Sequence, residues 1–413
     1  MTERLYYTDP YLRIFDATVQ RVDTRDGRLT VVLDRTAFYP TSGGQPCDVG
    51  ALGGARVIDV FDEDNGAVAH VVAADSASPP FPEIGSTVHG EIDWPRRFDH
   101  MQQHTGQHVL SAAFDRRFGV RTVSFHLGAE VSTIDLAREM SAAEIAAAED
   151  AANQVVWEDR TVGIRFASTD EAARLPLRKE PVREGTLRLI DIENWDLSAC
   201  GGTHVGRTGA IGVVAVSAWE RFKGGQRLEF VCGGRALRRW RSMRDSLTAS
   251  VRLLSVLPEE LPLSIERLQT ESKEQKRVAT ALQTELARFR AADLAASAES
   301  DPAGRLVLQA VDADANTLKA LATAVTSAPG FAVVLVSVAA PVLVVVSRSA
   351  DVGASAQQIV AGLVATFGGR GGGRPELAQA GGLVGTPEAV LARARTLLKS
   401  EIEPASGRSD REI

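Results

Sequence analysis

Short runs of alternating or continuous apolar residues fill the N-terminal part of the chain. Residues 17–22 and 29–33 flank a polar turn at 23–27, the pattern of a hairpin, and residues 57–61 and 68–72 repeat it around 62–66. A loop rich in Ser and Pro follows at 75–83, then a further strand at 88–92. Strands this short predict a small β-barrel over residues 1–90, closed on itself.

Near Arg97 the period changes from strand to helix. Asp99 is placed to cap a helix, with Gln102 three residues later in capping-box position, and Met101, Thr105, His108 and Val109 continue at helical spacing. Residues 142–156 read as a second amphipathic helix, and strands are expected at 163–167, 187–190 and 212–217. The alternation predicts an α+β domain over residues 91–245. Residues 265–290 contain no Gly or Pro. Within them Ile265, Leu268, Ser272, Gln275, Ala279, Leu282, Leu286 and Phe289 follow alternating three and four spacing, interrupted by the polar pair Ser272 and Gln275. Residues 260–295 therefore read as a helical or coiled-coil linker, or equally as a long surface helix packed on its own domain. The order from 303 to 399 is strand, helix, strand, strand, helix, glycine loop (367–374), helix, which predicts a compact α/β domain over 300–400. The last dozen residues are polar and expected to be disordered. The fold class is thus multidomain α+β.

Composition adds bounds. At 413 residues, 44% hydrophobic and 24% charged, the chain suits a soluble globular protein of two to four domains. Residues 1–15 have no apolar leader segment. The most apolar stretch, 331–346, is short for a membrane span and contains Pro341, so it reads as two buried strands joined at Ala339-Ala340-Pro341, and no membrane partner is expected. The three cysteines, Cys47, Cys200 and Cys232, are too scattered for a disulfide framework; a reducing, cytoplasmic setting would leave a thiolate free for metal. The net charge of −7 does not favour a nucleic-acid partner, yet one local basic run exists, Arg235, Arg238, Arg239, Arg241 and Arg244. It is either a phosphate-binding face or a solvated helix face.

Candidate chemistry lies in two short pairs. His104 and His108, separated by Thr-Gly-Gln, fall on one helix face, where both imidazoles can reach one ion. Cys200 and His204 flank Gly-Gly-Thr, and the glycines let the backbone turn tightly enough for both side chains to point inward. Three imidazoles and a thiolate suit Zn²⁺; the bland alternative is a buried free cysteine with surface histidines. His100 shares the helix face and reads as a cap-region residue or a support to the ligands. The run Ser42-Gly43-Gly44-Gln45 after a strand is either a backbone cradle for a ligand or a barrel turn. Thr105 stands where a His-Glu-x-x-His peptidase would carry its glutamate, which argues against peptidase chemistry.

Taken in order, Phe38-Tyr39-Pro40 with Gly43-Gly44-Gln45, the His104/His108 pair and the Cys200/His204 pair resemble the editing domain of alanyl-tRNA synthetase and its free-standing AlaX relatives. The long helix and the run GGRGGGRPELAQAGG (368–382) resemble the C-terminal domain of the same synthetase. Where the family's glycine motif often carries an acidic residue, this chain has Thr41. The resemblance implies the long form of an editing protein. It implies no aminoacylation, since no activating domain precedes the barrel. The implied activity is hydrolysis of mischarged tRNA(Ala), above all Ser-tRNA(Ala), at a zinc site formed by His104, His108, Cys200 and His204. Thr36 and Gln45 are the candidates for contact with the serine hydroxyl, the feature that alanine lacks. Arg235, Arg238, Arg370 and Arg374 are the candidate tRNA contacts, and the coiled coil or C-terminal domain is a candidate homodimer seam. A threonyl-type editor and a zinc-stabilised RNA-binding module without catalysis remain as rival readings.

Overall fold

The computed structural model describes residues 1–25, 28–73, 83–178, 185–301 and 304–402. Residues 26–27 of the first hairpin turn, residues 75–82 of the expected loop, and residues 403–413 of the polar tail lie outside the described residues. The chain divides into two compact units, Met1–Leu253 and Leu254–Ile413.

The first unit begins with the expected barrel. Six strands close it in the order Ile14–Arg25, Arg28–Leu33, Val68–Val72, Ala55–Asp62, Gly50–Leu52 and Thr87–Ile92, which pairs back to the first. Val19, Val31, Val57, Val68, Val72 and Val88 fill its interior. The strand Gly50–Leu52 escaped the sequence pattern because three residues are too few to show a period.

A helix, Trp94–Phe118, leaves the barrel directly. Its cap is Asp93, whose carboxylate accepts from the Arg96 amide at 3.2 Å. The expected cap at Asp99 is therefore corrected: Asp93-Trp94-Pro95 starts the helix earlier, with proline in the first turn where no donor is lost. Asp99 lies inside the helix and accepts from Arg235 instead. Arg97 is fully buried against the equally buried Asp48 and donates to the Pro10 carbonyl at 2.9 Å, tying the helix to the barrel. Removing one partner of such a pair costs roughly 3–5 kcal/mol.

Around this helix stand two antiparallel sheets. One runs Val214–Phe222, Gly225–Cys232, Ser132–Leu136, Thr122–Leu127; the other runs Val162–Ala167, Leu187–Ile192, Asp196–Ala199. Helix Ala142–Trp157, with a Ser141–Glu144 capping box, packs into the same core. The arginine run falls on helix Gly233–Leu254.

The second unit contains the 36-residue helix Leu261–Ala296, where a helical segment is expected over 260–295. Its buried positions are Ser264, Ala287, Ala291 and Leu294, while Leu268, Leu282, Leu286 and Phe289 of the expected seam are exposed. A six-stranded sheet follows in the order Glu299–Asp301, Gly304–Val311, Phe331–Ser337, Val342–Arg348, Leu377–Leu383, Arg370–Arg374. Helices Ala315–Thr326, Ala356–Phe367 and Pro387–Ile402 flank it. The apolar stretch at 331–346 is two buried strands, as expected. The glycine loop is a correction: Arg370–Arg374 is a paired edge strand. Its glycines permit close pairing, since a Cβ at Gly371 would stand 2.4 Å from that of Ala380. Among the described residues no helix is long and apolar enough to cross a membrane.

Candidate metal centre

His104 and His108 lie one turn apart on the buried face of helix Trp94–Phe118. Cys200 and His204 sit on the loop that follows strand Asp196–Ala199. The fold brings the four together, with one ligand atom from each lying within 4.8 Å of the others. His104, His108 and His204 are 1%, 4% and 2% exposed, which rules out the surface-histidine alternative.

Each imidazole is oriented by a different partner. His104 Nδ1 donates to the Gln45 side-chain carbonyl at 2.8 Å. His108 Nδ1 donates to Asp196 at 2.9 Å. His204 Nδ1 donates to the Thr105 hydroxyl at 3.2 Å, because that hydroxyl spends its own proton on the Met101 carbonyl. With every Nδ1 donating, Nε2 is the nitrogen left to each imidazole for a metal ion, and those of His104 and His204 lie 3.4 Å from Cys200 Sγ. Burial alone would raise the Cys200 thiol, but the charges of His104 and His204 bring it well below its usual value, toward thiolate. Burial lowers His108, yet its hydrogen bonds to Asp196 and Cys200 prevail and raise it to about 9. Burial, with the charge of His104, takes His204 down to about 3. Three imidazoles held through Nδ1 and a thiolate-biased sulfur are a donor set that fits Zn²⁺, with His108 giving up its second proton as metal binds, and fixed Nδ1 partners are how proteins orient such ligands.

Gln45 belongs to this centre. It is fully buried, accepts from His104 and from the Thr203 amide at 3.2 Å, and donates to the Thr203 hydroxyl at 2.9 Å. The glycine motif is a tight turn: Ser42 and Gln45 exchange backbone hydrogen bonds, and Gly44 accepts from Leu127 at 2.9 Å. The turn places Gln45 beside His104. Gly202 must lack a side chain, since a Cβ there would lie 2.1 Å from the His104 ring.

Other expectations fall elsewhere. Thr36 is not brought to the cluster: fully buried, its hydroxyl donates to His70 Nε2 at 2.8 Å and accepts from the Phe38 amide at 3.1 Å. Arg235 is corrected as a tRNA contact. It is 3% exposed and its guanidinium is committed to Asp99 and to the Gly128 carbonyl at 2.7 Å. Arg238, Arg370 and Arg374 are exposed. His100 lies outside the cluster; it is buried, and burial lowers it to about 4. Sequence reasoning missed Asp196, Thr105, Thr203 and His70. Thr105 was visible between the two histidines, but only as the place of an absent glutamate; the others carry no local signal.

Comparison with known proteins gives three family matches. Residues 5–96 match a model described as tRNA synthetases class II (A). Residues 187–229 match the threonyl and alanyl tRNA synthetase second additional domain, and residues 303–403 match the DHHA1 domain. The chain is 34% identical over 274 residues to the alanyl-tRNA editing protein AlaX-L of Pyrococcus horikoshii, covering 65% of this chain and 66% of that one. It is 34% identical over 391 residues to the alanine–tRNA ligase of Pyrococcus abyssi, covering 92% of this chain and 42% of the ligase. With the corresponding ligase of Halobacterium salinarum it shares 36% identity over 399 residues, again 92% and 42%. The chain thus spans less than half the length of the ligases it matches.

Proposed function

Because the chain belongs to the family of alanyl-tRNA synthetases and AlaX editing proteins, we propose that it is an editing hydrolase, one that cleaves a wrongly attached amino acid, serine above all, from tRNA(Ala). The observation that supports this best is the buried cluster of His104, His108, Cys200 and His204, with each imidazole held by a separate partner.

An aminoacyl ester is already activated, so positioning supplies much of what its hydrolysis needs. A zinc ion held by the four residues would polarise the ester carbonyl or hold the amino-acid end of the substrate. Gln45, Asp196 and Thr105 keep the imidazoles in one tautomer and one orientation. One amide hydrogen of Gln45 goes to Thr203 and the second has no partner among the described residues. Gln45 is therefore the stronger of the two candidates for the serine hydroxyl. A site that hydrogen-bonds that hydroxyl rejects alanine, which would leave the donor unpaired. Arg238, Arg370 and Arg374 are proposed to contact tRNA, and the exposed seam of helix Leu261–Ala296 is proposed to join two copies. The three free cysteines suit a reducing, cytoplasmic setting.

The test is to incubate the purified chain with tRNA(Ala) charged with serine and, separately, with alanine, before and after chelation. Metal-dependent release of serine with alanine spared is the expected result. Release of neither, with metal still bound, overturns the hydrolase reading in favour of a zinc-stabilised RNA-binding module, which four protein ligands also suit. Faster release from Ser-tRNA(Thr) moves the assignment to the threonyl branch.

A further inference from the structure

Each imidazole of the cluster is fixed through its Nδ1, but the Cys200 side chain has no second polar atom to be held by. Its sulfur meets imidazoles of the cluster itself and the Gly202 amide, at 3.4 Å. The place of that sulfur therefore depends on the backbone of its loop, which carries two consecutive glycines, Gly201 and Gly202. Gly202 is required by the closeness of the His104 ring, yet glycine leaves a loop the widest choice of conformations. A metal ligand on such a loop needs a hold from outside it.

Arg188, on strand Leu187–Ile192, supplies one. Its carbonyl accepts from the Cys200 amide at 3.0 Å, which extends the pairing of this strand with Asp196–Ala199 by one step. Its guanidinium turns back onto the same loop, where Nη1 donates to the Cys200 carbonyl at 2.8 Å and to the Gly202 carbonyl at 2.9 Å. Nε donates to the Tyr7 carbonyl at 2.9 Å, in the N-terminal turn Leu5–Tyr7. The Tyr7 ring centroid lies 5.5 Å from the guanidinium, and its phenol oxygen stands 3.4 Å from where a Cβ on Gly201 would be. Arg188 is buried, Nη2 has no hydrogen-bond partner, and among the described residues no carboxylate pairs with it. Burying a cation without a carboxylate is costly. Here its side-chain bonds all go to backbone carbonyls, two of the three in the metal-ligand loop.

We infer that Arg188 is the positioning residue of the Cys200 ligand: it sets the Cys200–His204 loop in its ligating shape before an ion arrives. The inference rests on the metal centre and not on the hydrolytic step proposed for it. By holding the peptide unit before Gly201 and the one after Gly202, Arg188 confines the unit between them, whose N–H points at Cys200 Sγ. The planar fork serves three carbonyls in fixed directions. An ammonium on a flexible stem is a point donor and does not hold the same set.

Two measurements on the full chain test this. In the native chain freed of metal by chelation, the amides of Cys200, Gly202 and Thr203 are expected to exchange hydrogen at least about tenfold more slowly than a free peptide. Free-peptide rates, with protection appearing only once zinc is added, overturn the inference without any variant. Chelator competition is expected to give Arg188→Gln and Arg188→Lys zinc affinities about 10–100-fold below native, and loading with cobalt(II) a weakened thiolate-to-metal absorption. An arginine that only stabilises the fold would lower the unfolding midpoint and leave the affinity and the cobalt spectrum as in the native chain; that result overturns the inference. Native values in Arg188→Lys alone show that charge suffices and overturn the role of the fork. A native chain that takes up neither ion refutes the metal centre and this inference with it. Serine release is read separately: its absence with zinc bound refutes the hydrolase and leaves Arg188 assigned.

Discussion

Replacing Gln45 by leucine tests whether the glycine motif acts on the metal centre through one side chain. The substitution keeps the volume roughly constant and removes three hydrogen bonds: the acceptor for His104 Nδ1 at 2.8 Å, the acceptor for the Thr203 amide at 3.2 Å, and the donor to the Thr203 hydroxyl at 2.9 Å. Gln45 is fully buried, so water does not readily replace them. Two buried donors, His104 Nδ1–H and the Thr203 amide, are left unpaired at about 1–3 kcal/mol each, so the total expected is about 2–6 kcal/mol. Part of this is read as stability and part as metal binding. Without its partner His104 loses both its fixed tautomer and its ring orientation, and loss of such a support weakens metal affinity about 10–100-fold. Affinity would be measured by chelator competition and stability by urea unfolding of the metal-free chain. Gln45→Glu restores an acceptor for His104 and is expected to recover most of the metal affinity. Native metal affinity in Gln45→Leu would refute the argument, even if stability fell.

Four further outcomes are expected. His70 is buried and burial lowers it from 6.5 to about 4. The native state thus binds fewer protons than the unfolded chain, and stability falls as pH drops from about 6.5 to about 4, by roughly 3 kcal/mol. Urea unfolding of His70→Gln across that window should show a slope shallower by about one proton, and an unchanged slope refutes the assignment. Thr36→Val leaves His70 Nε2 unpaired and is expected to cost about 1–3 kcal/mol in unfolding experiments without changing the serine-to-alanine cleavage ratio; a changed ratio would return Thr36 to the substrate pocket. Arg235→Ala leaves Asp99 with Arg238 at 3.5 Å and frees the Gly128 carbonyl, and should destabilise the chain by about 1–3 kcal/mol in thermal unfolding, while leaving the salt dependence of RNA binding as it was. Replacing both Arg370 and Arg374 by alanine should weaken tRNA binding and reduce the slope of log affinity against log salt by about 1.5, measured by titration; a native slope shows that neither meets a phosphate.

The sequence by itself determined the local elements and the residue types of the candidate metal cluster. Period-two runs marked five of the six barrel strands, and period 3.6 marked the helices, because burial of one face is written directly into neighbouring positions. The pairs His104/His108 and Cys200/His204 were legible for the same reason: a helical turn and a Gly-Gly turn fix their geometry over five residues. Tertiary structure decided everything that depends on distant segments meeting. Gln45 stands 59 residues before His104 and Asp196 stands 88 after His108, so no local pattern could announce either partnership. Arg235 and Arg238 look alike in the sequence, yet the fold buries one against Asp99 and leaves the other exposed. Thr36, which reads as part of a ligand motif, is turned into the barrel by a histidine 34 residues away. Residue type sets which chemistry is available; long-range packing sets which atoms are left free to perform it.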